Sequence, residues 1–435
     1  MRRRRSLRVH AAAALLIAAT LLACCGDDGG EADVVMSSVG RQTPTTATGL
    51  PVASAIDTFG GELFTQLAET TDGNIVLSPY SVAVALAMTR AGAAGETKEQ
   101  FDRVLHLEGI DADTGFNALD QALATRTGDV VGRDGKKLSV VLATANALWP
   151  QKGYPFAPAF LDHLAAHYGA GLHVVDYQRE IERSRRTINE WVSDQTAKKI
   201  PELIPKDALD SLTRLVLTNA VYVKASWAEP FETSATADGA FTRLDRSTVT
   251  ASFMHQTESL GYAKGPGWQT VELPYAGGKL AMDVIVPDAG QYAAVAQTFD
   301  KGTATFVQHI ERQSVQLALP KFRFRTQADL IDTLAALGLT DLFDPDRADL
   351  SAMTAAEKLY LSGVLHEAFI DVNEKGTEAA AATAGSPEQR RRRADRCRSP
   401  STVLSCWSCE ISKPMRCSSS VEFSTPRRDE RSEYP

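Results

Sequence analysis

Few positions of this chain combine reactive side chains at close spacing: His366-Glu367, Lys375-Gly376-Thr377 and the run Arg390 to Arg393. A His-Glu pair opens a zinc-hydrolase helix only when a second histidine follows at the fourth position, and none does. Lys-Gly-Thr has the letters of the β-lactamase Lys-Thr-Gly box in another order, and no Ser-x-x-Lys serine accompanies it. There is no Gly-x-Ser-x-Gly elbow, P-loop or Gly-x-Gly-x-x-Gly turn. Eight histidines without ligand spacing point to no metal and no cofactor. A string of arginines taken alone is a solvated charged face. Catalysis by this chain is therefore the disfavoured class.

The stretch DVNEKGTEAAAATAGSPEQRRRR, Asp371 to Arg393, asks for a different job. Ala379, Ala380, Ala381 and Ala382, behind Gly376, Thr377 and Glu378, have no side chain large enough to hold a core and little to resist burial. Such a segment can be solvated in one state and buried in another; the alternative is an Ala-rich surface linker. A net charge of -8 spread over both signs argues against a nucleic-acid binder.

The elements that would have to position this stretch are legible as runs. Residues 52–70 place Ile56, Phe59, Leu63, Phe64 and Leu67 at helical spacing. A short strand then precedes a Ser-Pro helix start, with Pro79 in the first turn of a helix of small residues. SVVLATANALWP, LTRLVLTNAVYVKASW, LAMDVIVPD and VQLALPKFRFR have the make-up of buried strands. TINEWVSDQTAKKIPELIP and DLIDTLAALGLTDLFDP are helical between them. Helices early and strands later, without strict alternation, indicate an α+β fold.

The two ends differ from this body. With 44% hydrophobic residues the chain can bury a large core. All six cysteines lie outside Gly26 to Arg396, so the body relies on packing alone. MRRRRSLRVHAAAALLIAATLLACC has a basic head, an apolar stretch and small residues before Cys24, the plan of a secretory signal. LLAC is similar to a bacterial lipobox, which implies lipidation of Cys24. The chain then divides into a signal (1–24), a flexible polar tether (25–50), a folded domain (51–396) and a tail (397–435). The protein is expected outside the cytoplasm, lipid-anchored to the bacterial envelope or extracellular, touching a membrane through that lipid alone.

Six phrases together resemble one family: NIVLSPYSVAVALAMTRAGAAGET (74–97), INEWVSDQTAKKIPELI (188–204), LTNAVYVKASWAEPF (217–231), VELPYAGGKLAMDVIVPD (271–288), LPKFRFRTQADLIDTLAALGLTDLF (319–343) and VLHEAFIDVNEKGTEAAAATA (364–384). In order and separation they are similar to serpins, from roughly Ala55 to Ala384. The resemblance implies a helical group with three β-sheets and a reactive loop exposed at one pole, about 374–396. It implies a monomeric inhibitor of a serine, or alternatively a cysteine, protease, with no catalytic residue of its own. Glu374, Gly376, Thr377, Glu378, Ala379, Ala380, Ala381 and Ala382 would form the hinge of that loop, which inserts into the large sheet after cleavage. Ser78, Ser81, Asn219 and His366 match the polar cluster where that sheet opens, and Trp227 the position where the loop first meets it. Family spacing from Glu374 places the scissile bond at Arg390-Arg391, implying a trypsin-like or dibasic-cutting target. A non-inhibitory binding protein of the same fold is the alternative function.

The tail departs from the family. Serpins end in two apolar core strands; Cys397 to Pro435 is rich in Ser, Cys and Arg without strand alternation. Back-translation from Arg398 to Pro426, taken from each third base, permits IAVDRPFLLVLRDLETDAVLFLGRVLDP. The missing ending is thus present in another reading frame. The same shift converts repeated CGN arginine codons into Ala, Ser, Thr or Pro codons, which places the slip near codons 385 to 396.

Overall fold

The computed structural model describes residues 32–132, 135–356 and 358–377, and the backbone alone of 412–414. Of the residues singled out above, Cys24, Glu378, Ala379, Ala380, Ala381, Ala382, Arg390 and Arg391 lie outside the described residues, as does the remainder of the tail. Of the residues expected to form the hinge, Glu374, Gly376 and Thr377 are described.

Nine helices are described: α1 (Leu50–Thr70), α2 (Pro79–Arg90), α3 (Gly95–Val104), α4 (Ala112–Ala124), α5 (Pro158–His163), α6 (Ile181–Gln195), α7 (Tyr292–Thr298), α8 (Ala304–Val307) and α9 (Ile331–Ala336). Strands β1 (Asp33–Val35), β2 (Gly128–Val131), β3 (Lys137–Pro150), β4 (Leu172–Val174) and β5 (Leu215–Ser226) precede a second group. That group is β6 (Ala237–Thr242), β7 (Thr248–Gly265), β8 (Trp268–Pro274), β9 (Ala281–Pro287) and β10 (Glu311–Pro320). Then follow β11 (Phe322–Asp329), β12 (Gly363–Asn373), β13 (Gly376–Thr377) and β14 (Ser412–Pro414).

The large sheet has the order β1-β4-β3-β5-β13-β12-β11, with β2 beside β3. Helix α2 lies under its middle. Ser78 caps it, its hydroxyl accepting from the Ser81 amide at 3.3 Å, and Pro79 supplies a first residue with no amide to satisfy. Every side chain from Pro79 to Thr89 is buried, and the small residues let the helix come close to the strands. Helix α1 buries Ile56, Phe59, Leu63, Phe64 and Leu67 against the same core.

The second sheet runs β10-β7-β8-β9-β14, with β6 beside β7. The three sheets implied by resemblance appear as two connected ones. Strand β7 is 18 residues long, and it pairs with β6 and β10 along one part and with β8 along the other. Unbroken, it joins what would be two small sheets.

Four sequence expectations change. VQLALPKFRFR is two strands, not one: β10 and β11 flank Lys321 and belong to different sheets. The short strand near Ile75 is an isolated bridge, and the Val76 amide is satisfied by the Thr326 hydroxyl at 2.8 Å. Helix α6 stops at Gln195 because Ala197 and Lys198 take positive φ. Nor does the stretch before Pro51 hang free as a tether. β1 pairs antiparallel with β4, otherwise the open edge of the sheet. Lys152 holds Asp33 at 2.8 Å, and Arg41 reaches Asn117 at 2.9 Å and Asp120 at 2.7 Å. Residues 33–42 therefore strap β4 to α4. No described helix is long and apolar enough to cross a membrane.

Candidate functional site at the seam between β5 and β12

β5 and β12 run parallel and meet directly only over their first halves, from Val216↔Gly363 to Val221↔Ala368. Within that half, Asn219 is the cross-strand partner of both Asn146 on β3 and His366 on β12. Residues in one such row share a face of the sheet, here the face toward α2. The Asn219 Nδ2 donates to the Ser81 Oγ at 2.5 Å and to the Asn146 Oδ1 at 2.7 Å. Its Oδ1 is then left to accept, so the His366 Nδ1, 2.5 Å away, carries the proton. His366 is neutral, completely buried, and its Nε2 has no partner among the described residues. Burial pushes its pKa down to about 4. The row is a chain of hydrogen bonds that fastens three strands and a helix together.

The second halves of the two strands diverge, and β13 lies between them. Gly376 and Thr377 pair antiparallel with Ser226 and Ala225 on one side and with Asn373 and Val372 on the other. Gly376 has φ of +147°, and a Cβ there would stand 2.1 Å from the Ala225 carbonyl oxygen. Only glycine fits. Thr377 is 1% exposed, its hydroxyl 2.5 Å from that of Tyr275.

The floor of this wedge is aromatic and its rim charged. Trp227 stacks on Tyr275 with centroids 4.6 Å apart, and its Nε1 donates to the Asn373 carbonyl at 2.9 Å. The Trp227 amide donates to the Lys375 carbonyl at 3.0 Å. Glu374 receives Thr236 at 2.9 Å and Lys321 at 3.0 Å. The turn is thus held at both ends before the chain leaves the described residues.

On the opposite face of β12 from His366, Glu367 is 1% exposed and bonded to Arg325 at 3.0 Å. Burial raises its carboxyl to about 7, against the lowering pull of the Arg325 guanidinium. The two neighbours on one strand are therefore shifted in opposite senses relative to water.

The structure brings Ser81, Asn219 and His366 together in one row and sets Trp227, Glu374, Gly376 and Thr377 at the other end of the seam. Ser78 is adjacent as the helix cap, its hydroxyl accepting from the Ser81 backbone amide. Sequence reading missed Asn146, Tyr275 and the Thr236–Lys321 pair on Glu374. Asn146 had a signal: ATANALW and LTNAV both carry an asparagine inside an apolar strand run, and such groups need partners.

The model of the family described as "Serpin (serine protease inhibitor)" matches residues 54–403. The leukocyte elastase inhibitor of Bos taurus is 38% identical over 78% of this chain and 89% of its own length. An uncharacterized serpin-like protein of Thermococcus kodakarensis is 38% identical over 77% of this chain and 76% of its own. The crystal structure of the thermophilic serpin tengpin in the native state has a TM-score of 0.69 at 25% identity, covering 88% of this chain and 94% of that one. A family model spanning most of the chain, relatives at this identity along most of their length and the same fold in a solved structure agree: this chain belongs to the serpin family of serine protease inhibitors.

Proposed function

We propose that the body of this chain traps serine proteases by letting its cleaved loop complete the large sheet. The observation that carries this reading is β13: two residues already occupy the slot between β5 and β12, antiparallel to both. Continuing that register two residues at a time sets Ala379 between Val223 and Ile370, and Ala381 between Val221 and Ala368. Ala380, on the other face, would fall between Tyr222 and Phe369. Alanine costs little to bury there, whereas a charge would need a partner the sheet lacks. Insertion must part the direct β5–β12 pairs and the His366–Asn219 bond. It replaces one parallel junction by two antiparallel ones. The protease supplies the chemistry, and the inhibitor supplies a bond and a sheet one strand short.

The tail belongs to this proposal. Two apolar core strands would carry on the order of ten buried side chains at roughly 1.5–3 kcal/mol each, against a folding margin of about 5–15 kcal/mol. With the tail as it stands we expect aggregation or protease sensitivity, and with the frame restored near codons 385 to 396, a cooperatively folding inhibitor. With the slip before codon 390 and CGN codons at Arg390 and Arg391, the restored frame would read Ala, Ser, Thr or Pro there, residues suited to a small specificity pocket. That fits the elastase in the relatives' names better than a trypsin-like target. Lipidation at Cys24 would leave nine residues before Asp33, about 30 Å when extended, holding the body close to an envelope membrane.

The test is incubation of both forms of the chain with elastase and trypsin. A complex stable to SDS, formed by the restored form with elastase, is the expected result. Folding and complex formation by the chain with its present tail would overturn the frame reading, and cleavage of the restored form without any complex would overturn the trapping mechanism. Labelling by a fatty-acid precursor, lost in Cys24→Ala, tests the anchor.

A further inference from the structure

The face of the large sheet turned away from α2 is covered by α6 and by residues 200–204, which follow it. Ile200, Leu203 and Ile204 share one buried cluster with Ala220 of β5 and Leu365 of β12, so this stretch spans the line along which the two strands would part. Ala145 and Ala220 of that cluster belong to a cross-strand row that continues through Glu367 to Gln327, from β3 to β11.

The stretch is fastened on both sides of the seam, by different means. On the α6 side, the Asn189 Nδ2 donates to the Ile204 carbonyl at 2.9 Å and its Oδ1 accepts from the Ile204 amide at 2.8 Å. The Arg185 guanidinium donates to the same carbonyl at 2.9 Å. On the β11 side, the Gln327 Nε2 donates to the Leu203 carbonyl at 2.6 Å and to the Glu202 carbonyl at 3.2 Å. Neighbouring strands lie about 4.8 Å apart, so a strand entering between β5 and β12 carries β11 that much further from β5. Residues 200–204 run on into β5 and stay with it. The bonds at Ile204 lie on the α6 side and survive, while both Gln327 bonds pass out of reach.

We propose that the Gln327 amide is a latch, tying residues 202–203 to β11 across the closed seam and slowing its opening. Gln327 is exposed, so water replaces it on the carbonyls when it lets go, and each bond contributes modestly. The latch therefore delays opening without forbidding it. The fastening is a property of the native state; its effect on loop entry rests on the mechanism proposed above.

The probe for opening is a synthetic peptide copying residues 377–384, TEAAAATA, whose uptake into the sheet is followed over time as a rise in melting temperature, in the full-length chain and its frame-restored form. Gln327→Leu, which removes the donor, should speed uptake ~3–10-fold and speed hydrogen exchange of the 200–204 amides similarly, with exchange at 143–148 unchanged. Gln327→Arg, which keeps a donor, should match the parent protein. Unchanged exchange at 200–204 in Gln327→Leu overturns the latch. Equal changes in both variants overturn it too, since side-chain shape and not the donated bonds would then be responsible. Faster exchange with unchanged uptake overturns the control of the seam. If no form takes up the peptide, the insertion mechanism fails, and the exchange result alone decides the latch.

Discussion

The two halves of the seam between β5 and β12 solve the same problem differently. Over Gly363–Ala368 the strands pair directly and a buried polar row crosses them. At Val372–Asn373 they are separated by Gly376–Thr377, above a stacked Trp227–Tyr275 pair. The closed half is held by hydrogen bonds with few alternatives, because unmade bonds inside a sheet are costly. The open half is held by one tight glycine, one threonine and an aromatic floor. A seam fastened at one end and wedged at the other is suited to opening from the wedge.

Thr377→Arg in the frame-restored protein should break that asymmetry most strongly. An arginine buried between two strands has no counter-charge there. The number of inhibitor molecules consumed per protease inactivated should rise ~10-fold or more, and an unchanged ratio would sink the wedge as the starting point. Asn219→Ala attacks the closed half. It leaves the buried His366 Nδ1 without its acceptor, while Ser81 keeps its bond to Asn146 at 2.6 Å, and urea unfolding should show a loss of about 2–3 kcal/mol.

The pH dependence sharpens the comparison along β12 itself. His366 has its folded pKa lowered from 6.5 to about 4, so its contribution is complete above pH 6.5 and lost as pH falls through 4. Glu367 has its folded pKa raised from 4.5 to about 7, so its contribution is complete below pH 4.5 and lost as pH rises through 7. Each slope is about 1.4 kcal/mol per pH unit, of opposite sign, and between pH 4.5 and 6.5 they cancel. Glu367→Gln should therefore uncover a loss of about 2–3 kcal/mol on acidification across that window; a profile as flat as that of the parent protein would refute the pairing of the two groups. The smallest effect expected is from Trp227→Phe, which removes one hydrogen bond to Asn373 and should cost about 1 kcal/mol in the same assay.

Much of the fold was legible in the chain. The Ser-Pro start of α2, the helical spacing of α1 and the apolar runs of β3, β5 and β9 are local patterns, fixed by propensity, capping and burial of one face. The place of Gly376 and Thr377 in the sheet was legible for the same reason, since a glycine and a small residue suit a tight approach between strands. Less legible were the break of one apolar run at Lys321 into strands of two sheets, and the docking of residues 33–42. Their polar composition reads as a tether, but β4 offered an open edge and α4 offered Asn117 and Asp120 to Arg41.

By itself, then, the sequence determined most of the strands, where helices start, and which residues are small enough to be buried at little cost. Only the tertiary structure decided which polar groups meet. Asn146 lies 73 residues from Asn219, and His366 lies 147 beyond it. Their row exists because long-range strand pairing fixes register, and a shift of one residue would turn each of them to the other face of the sheet.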